Sequence, residues 1–266
     1  MYKTQRIDTY EEVMYELLAS SCFDHDIKRF RSSNLYRGLN NSDYHLATSI
    51  TRNCKGDLNL EKTLLRNFVK YASLEEPLLD TSIWRQMIIG QHHGLPTRLM
   101  DWTHSPLVAL HFATESSNLA DIDQNDCVVW QIDMKEINAL LPIGYQEQLR
   151  KSNANLFTVE MLLEVLNDIE TYDTDMSDKA MVFIEPPSID ARIINQYSYF
   201  SIVPSTMNDI EMFFNNMTGN TVKYIISKDV RWTLRDKLDQ LNINERILFP
   251  GLDGIASWLR RRYYVK

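Results

Sequence analysis

Apolar positions along the chain change period as they go, and the changes mark out elements. Asp8-Thr9-Tyr10-Glu11 has the form of a capping box, after which Tyr10, Val13, Met14, Leu17 and Leu18 recur on one helical face. Leu60, Leu64, Leu65, Phe68 and Tyr71 predict a second helix, and residues 81–90 a third, with Ile83, Trp84, Met87 and Ile88 inward. Between the first two, residues 34–39 read as a short strand running into the turn residues Asn40-Asn41-Ser42-Asp43. Further on, residues 127–132 are a strong buried-strand candidate, residues 142–157 show little pattern, and residues 158–169 predict a helix. Residues 168–178 are acidic and read as a loop. Residues 181–184 read as a strand stopped by Pro186-Pro187, and Ile193-Ile194, residues 199–203 and residues 222–226 add strand pattern. Leu234, Leu238 and Leu241 place a helix before Phe249-Pro250, and residues 252–263 close the chain as a helix. Helices therefore dominate the first third, and strands cluster in residues 127–226. That is an α+β pattern: a central, mainly antiparallel sheet with surrounding helices. Without repeat, low-complexity tract or linker, residues 1–266 read as a single domain, with residues 1–30 as a helical N-terminal extension.

Composition narrows the class. With 44% hydrophobic and 24% charged residues, the 266-residue chain has ordinary globular values and enough length for a sizeable core. No run of about 18 apolar residues predicts a membrane span, and the first residues lead into no signal-like apolar stretch, so the expectation is a cytoplasmic protein. Cys22, Cys54 and Cys127 are scattered, without metal-ligand or disulfide-framework spacing, and are expected reduced, with Cys127 in a strand core. A net charge of −8 argues against an extended nucleic-acid surface. Arg260, Arg261, Arg262 and Lys266 form a local basic cluster that reads as a solvated helix end.

The densest chemistry lies in residues 91–114, which hold four of the six histidines. Gly90 and Gly94 are expected stops for the preceding helix. Ser105-Pro106 predicts a helix start, with a serine cap and a proline at the first position. Leu107, Leu110 and Phe112, with small Ala109 and Ala113, suit close burial. Residues 94–104 are then a loop or short strand delivered to a helix N-terminus, whose free amides and partial positive charge suit phosphate or carboxylate.

Individual residues admit competing roles. Arg37, on a strand before Gly38, either pairs a carboxylate such as Asp101 or offers its fork of donors to a phosphate, with Gly38 admitting a ligand to the backbone. Arg98 and Asp101, three apart, form a buried pair or have Asp101 bonded to loop amides; alternatively Arg98 faces a ligand phosphate, and Asp101 orients it or a histidine. Adjacent His92 and His93 are poor joint metal ligands, so no metal is expected; one of them serves as a hydrogen-bonding or acid–base group, or both are scaffold. No nucleophile elbow, Walker loop or G-x-G-x-x-G occurs.

The run from Gln91 to Ala113, Q-H-H-G-L-P-T-R-L-M-D-W-T-H-S-P-L-V-A-L-H-F-A, resembles the signature of the FRG domain family. Tyr36-Arg37-Gly38 is similar to the Phe-Arg-Gly motif that names the family, with tyrosine for phenylalanine, and Gln196 and Leu248-Phe249-Pro250-Gly251-Leu252-Asp253-Gly254 extend the likeness over residues 30–260. The motif order, aromatic-Arg-Gly on a strand, Thr103-His104-Ser105 entering a helix, the strand at 127–132 and a late polar residue, resembles the layout of ADP-ribosyltransferases of the arginine, serine and glutamate type. That likeness implies an ADP-ribosyltransferase-like fold with NAD or another nucleotide held between Arg37 and the loop. Catalytic roles would fall to Arg37, His92, Asp101 and Gln196, and binding roles to Tyr36, Arg37, Gly38, Gln91, His93, Thr97, Arg98, Trp102, Thr103 and Ser105. It also implies ADP-ribosyl transfer to a macromolecular acceptor, or NAD hydrolysis, in a toxin or phage-defence effector. Loss of nicotinamide creates an oxocarbenium-like centre, which a hydrogen-bonding or anionic group must orient while a cation secures the diphosphate. The sequence departs from that pattern at Gln196-Tyr197-Ser198, where the transferases carry E-x-E. A non-catalytic nucleotide- or RNA-binding module, or a hydrolase built on His92 or His93 with Asp101, are the alternatives.

Overall fold

The computed structural model describes residues 1–266 apart from Ser20, Asp26 and Gly56 and the side chains of Cys22 and Leu58. Its strands are β1 (Lys3–Ile7), β2 (Cys22–Asp24), β3 (Arg29–Arg31), β4 (Asn34–Leu39), β5 (Leu99–Thr103), β6 (Cys127–Asp133), β7 (Val182–Ile184), β8 (Ser198–Ile202) and β9 (Val222–Ile226). Seven of them make one sheet in the order β1-β9-β6-β4-β5-β8-β7, and β2 and β3 form a separate hairpin. All pairings are antiparallel except that of β1 with β9. The architecture is thus mixed α/β on a mainly antiparallel sheet. Among the described residues no helix is long and apolar enough to cross a membrane.

The largely apolar pattern of β6 follows from its central place. Val128, Trp130 and Ile132 join one core cluster with Trp102, Phe183 and Phe214, while Cys127 and Val129 join a second on the other face with Tyr36, Ala109, Leu110 and Ala113. Each large side chain so buried contributes about 1.5–3 kcal/mol. A third cluster covers the β5-β8-β7 end, where Trp84, Met87 and Ile88 of the helix Ile83–His92 meet Phe200 and Ile202.

Residues 1–30 are not a helical extension. β1 is an integral edge strand, and only the helix Tyr10–Leu18, capped by Thr9, matches the expectation. β1 evaded the pattern because Ile7 alone of its five residues is buried. Residues 142–157 contain the helix Ile143–Lys151, hidden by its polar composition. The acidic segment is a helix, Ile169–Met176: Asp168 accepts the Thr171 amide at 2.7 Å, and Ile169, Tyr172 and Met176 turn inward. Ile193-Ile194 belong to a helix too, Ala191–Gln196, capped by Asp190. The helix predicted at 158–169 stops early, as Val159–Leu163, and a further helix, Ile210–Met217, packs Phe213 and Phe214 on the sheet. The helix through Gly90 runs on to His92. Arg261 is buried rather than solvated, bonded to Asp239 and Glu245 at 2.6–3.1 Å.

Candidate functional site

The two halves of the large sheet meet at one registered pair, Tyr36 of β4 with Thr103 of β5. On either side the pairing is continuous, β4 with β6 over six residues and β5 with β8 over five. Beyond Tyr36 and Thr103 the halves separate, and a cavity of about 310 Å³ opens between residues 36–40 and 101–103. Ala109 and Phe112 of the helix Pro106–Thr114 form one wall, and Arg192, Gln196 and Ser198 another, with Glu115 at the edge.

Gly38 has a different purpose from the one its sequence context suggests. A Cβ there would lie 2.1 Å from the Ala109 carbonyl oxygen and 2.5 Å from the Ala113 nitrogen. The helix Pro106–Thr114 therefore rests directly on β4, and Gly38 with the small alanines permits that contact; Gly38 is a helix seat, and it also lines the cavity. The helix start is formed as expected, with Ser105 Oγ accepting the Val108 amide and Thr103 Oγ1 accepting the Ser105 amide. The cavity, however, borders the flank and C-terminal end of this helix, so Ser105 and the helix N-terminus lie outside its lining.

Arg37 reaches into the cleft with its side chain 15% exposed. Its Nη1 donates to the Asp101 carbonyl at 2.6 Å and lies 3.5 Å from the Asp101 carboxylate. The Nε–H has no partner and is buried. Burial, reinforced by like charge from Arg52 and opposed by Asp101, lowers the Arg37 pKa from its ordinary value; at physiological pH the group is still a cation. An incompletely paired guanidinium at a cleft wall is an anion receptor.

Asp101 is braced from behind. Gln91 donates to its carboxylate at 3.1 Å, and Gln91 Oε1 in turn accepts from Thr97 at 2.8 Å and Ser49 at 3.2 Å. Gln91 and Thr97 thus support the cleft without lining it. Trp102 contributes to the wall, but its indole is buried in the core and donates to Ser201 Oγ at 3.0 Å. Thr103 Oγ1 donates to the Gln196 carbonyl at 2.7 Å, and Gln196 Nε2 donates to Leu248 O at 2.9 Å. Gln196 lines the cleft with one of its two amide N–H groups engaged by Leu248 O.

Three residues are placed elsewhere. Arg98 pairs neither with Asp101 nor with the cleft: Nη2 and Nε bond Glu61 at 2.6–3.2 Å, and Nη1 bonds Asp173 at 2.6 Å, in a buried triad that ties β5 to the helices Leu58–Ala72 and Ile169–Met176. A buried guanidinium needs partners, and two carboxylates outcompete one neighbour on an exposed strand position. His92 Nε2 lies 2.5 Å from Asp190, whereas the Asp101 carboxylate is met by Gln91 and Arg37. There the Ile193 amide and His92 hold the Asp190 carboxyl below its ordinary value against the upward push of burial. His93 is exposed. The His–Asp101 arrangement of a hydrolase is therefore not assembled. Among the described residues no group of three or more His, Cys, Asp or Glu side chains is placed to hold a metal.

Sequence reasoning missed Asn40, Phe112, Glu115, Arg192 and Ser198, all in the lining. Phe112 and Glu115 were within reach, because the helix that carries the signature ends at Thr114 and Glu115 follows it. Arg192 carried no local signal; it enters through the Asp190-capped helix, with its guanidinium carbon 5.3 Å over the Phe249 ring.

A sheet parted at a single rung, with a half-buried arginine on its wall, defines a mixed α/β protein with an anion-receptive cleft. Residues 32–121 match the family model of the FRG domain, a stretch that includes β4, β5 and the helix Pro106–Thr114. No curated protein and no solved structure matches the chain.

Proposed function

We propose that the Arg37 cleft binds NAD, or a nucleotide of the same diphosphate chemistry, and that the protein is an ADP-ribosyltransferase-like enzyme acting on a macromolecule or on water, in the manner of a toxin or phage-defence effector. The Arg37 guanidinium carries this reading: it lines the cavity with its side chain 15% exposed, a charged donor group to which a phosphate oxygen would be the matching acceptor. The volume of about 310 Å³ suits the nicotinamide-ribose end and part of the diphosphate, not an enclosed whole dinucleotide. Phe112 and Tyr36 offer apolar walls, Gln196 Oε1 an acceptor for a ribose hydroxyl, and Arg192 a second cation. When bound, NAD supplies a glycosidic bond to a good leaving group; the residues here hold and orient it.

Incubation with NAD, following free nicotinamide and ADP-ribose adducts, tests the reading. Arginine-dependent release supports it, and unchanged release and nucleotide affinity in Arg37→Ala would sink it. A second reading, a non-catalytic nucleotide-binding module, is favoured by Gln196, which is neutral and whose N–H is bonded to Leu248 O. Saturable ADP-ribose binding without nicotinamide release distinguishes it.

A further inference from the structure

Glu115 is the first residue past the helix Pro106–Thr114, and its main chain is fixed at both ends: its amide donates to His111 O at 3.0 Å and its carbonyl accepts from Arg231 at 3.3 Å. The carboxylate, 39% exposed, stands where two cavities meet, the Arg37 cleft and a second of about 350 Å³ beneath the C-terminal helix, lined by Ser117, Phe249, Asp253 and Ser257 among others. Behind it lies a fully buried imidazole. Arg235 Nη1 is 2.9 Å from His111 Nδ1. Because arginine only donates, Nδ1 accepts and the ring proton sits on Nε2. Burial, with the Arg235 charge nearby, lowers the His111 pKa and keeps the ring neutral despite its carboxylate neighbour. The Nε2–H has no hydrogen-bond partner and faces Glu115 Oε2 at 3.5 Å. A carboxylate in the mouth between two cavities, with a fixed buried N–H behind it, is placed to take a proton.

Resting on the NAD reading above, we infer that Glu115 is the general base of the transfer, and that the second cavity admits the acceptor, water or a hydroxyl-bearing group. The glycosidic C–N bond breaks with its electron pair on nicotinamide, which leaves neutral. The acceptor oxygen bonds the ribose anomeric carbon, and its proton passes to Glu115 and on to solvent. Glu115 thereby supplies the anion that Gln196 cannot.

The test compares wild type with Glu115→Gln, Glu115→Asp and Arg37→Ala, measuring nicotinamide release from NAD and calorimetric binding of ADP-ribose. Removal of a general base predicts a loss of about a hundredfold or more in kcat for Glu115→Gln, with ADP-ribose affinity within about twofold of wild type. Glu115→Asp, with the carboxylate withdrawn by one methylene, is expected to fall as well, and equal binding certifies that both variants are folded. Full release by a Glu115→Gln protein that binds normally overturns the inference and leaves the NAD reading standing. Wild type that binds ADP-ribose but releases no nicotinamide overturns the inference and leaves a binding module. Neither binding nor release overturns both.

Discussion

Replacing Gly38 by alanine sets one methyl group against the backbone of the helix that carries the FRG signature. The new carbon would stand 2.1 Å from the Ala109 oxygen and 2.5 Å from the Ala113 nitrogen, more than 1 Å inside ordinary contact. Neither obstacle is a flexible side-chain tip, and neither strand nor helix can retreat alone, because β4 is registered with β6 through Gly38 and Val129 and the helix is buried through Ala109, Leu110 and Ala113. Overpacking a well-filled interface costs about 1–3 kcal/mol, and a clash with backbone on both sides puts this site at the upper end, about 3 kcal/mol. For a chain of this size that corresponds to a fall in Tm of about 6–12 °C. Urea unfolding followed by tryptophan fluorescence, together with a thermal melt, measures both quantities. A Gly38→Ala protein within about 0.5 kcal/mol of wild type would refute the helix-seat account.

Other perturbations separate scaffold from site. Glu61→Ala leaves the buried Arg98 with only Asp173 and is expected to destabilise by about 3–5 kcal/mol, with Glu61→Leu plus Arg98→Met milder than the single change; equal costs in urea titrations would contradict the triad. The Glu245 carboxyl is held down to about 2 against the pull of burial by Arg261 and Arg235. Its contribution is complete above the ordinary carboxylate value of 4.5 and is lost as pH falls toward 2, an effect on the order of 3 kcal/mol. Urea midpoints of Glu245→Gln should therefore be lower near neutrality and flatter between pH 5 and 2.5 than those of wild type, and parallel curves would dismiss the assignment. Burial pushes the Cys127 thiol up to about 12, so in a Cys22→Ser, Cys54→Ser background a thiol reagent should label the native protein at pH 8 far more slowly than the denatured one.

The central strands and the signature helix were legible because their side chains face two ways at once. β6 is apolar at every buried position but Gln131, and Ser105-Pro106 caps a helix whichever fold it enters. β1 was not, since an edge strand with one buried residue has no alternation to read, and its pairing with β9 is a tertiary fact. At the site, Arg37, Asp101 and Gln196 were legible by motif, and the structure gathers them around one cavity. Arg98 misled because the nearest carboxylate in sequence, Asp101, is not the nearest in space: Glu61 and Asp173 arrive from helices 37 and 75 residues away. Arg192 stayed hidden because a cleft wall is assembled from element ends, and ends carry no period.

The parallel rung between β1 and β9 also sets an order of events at the ribosome. Lys3 pairs with Val222, so β1 waits for this partner until about two hundred more residues have been made. At about 5–20 residues per second that is roughly 10–40 s, during which Ile7, Val13 and Leu17 have no finished sheet to cover. Chain closure of this span is entropically late. Until β9 has been made the nascent chain therefore holds this apolar segment uncovered, and a chaperone that engages nascent chains would find it there.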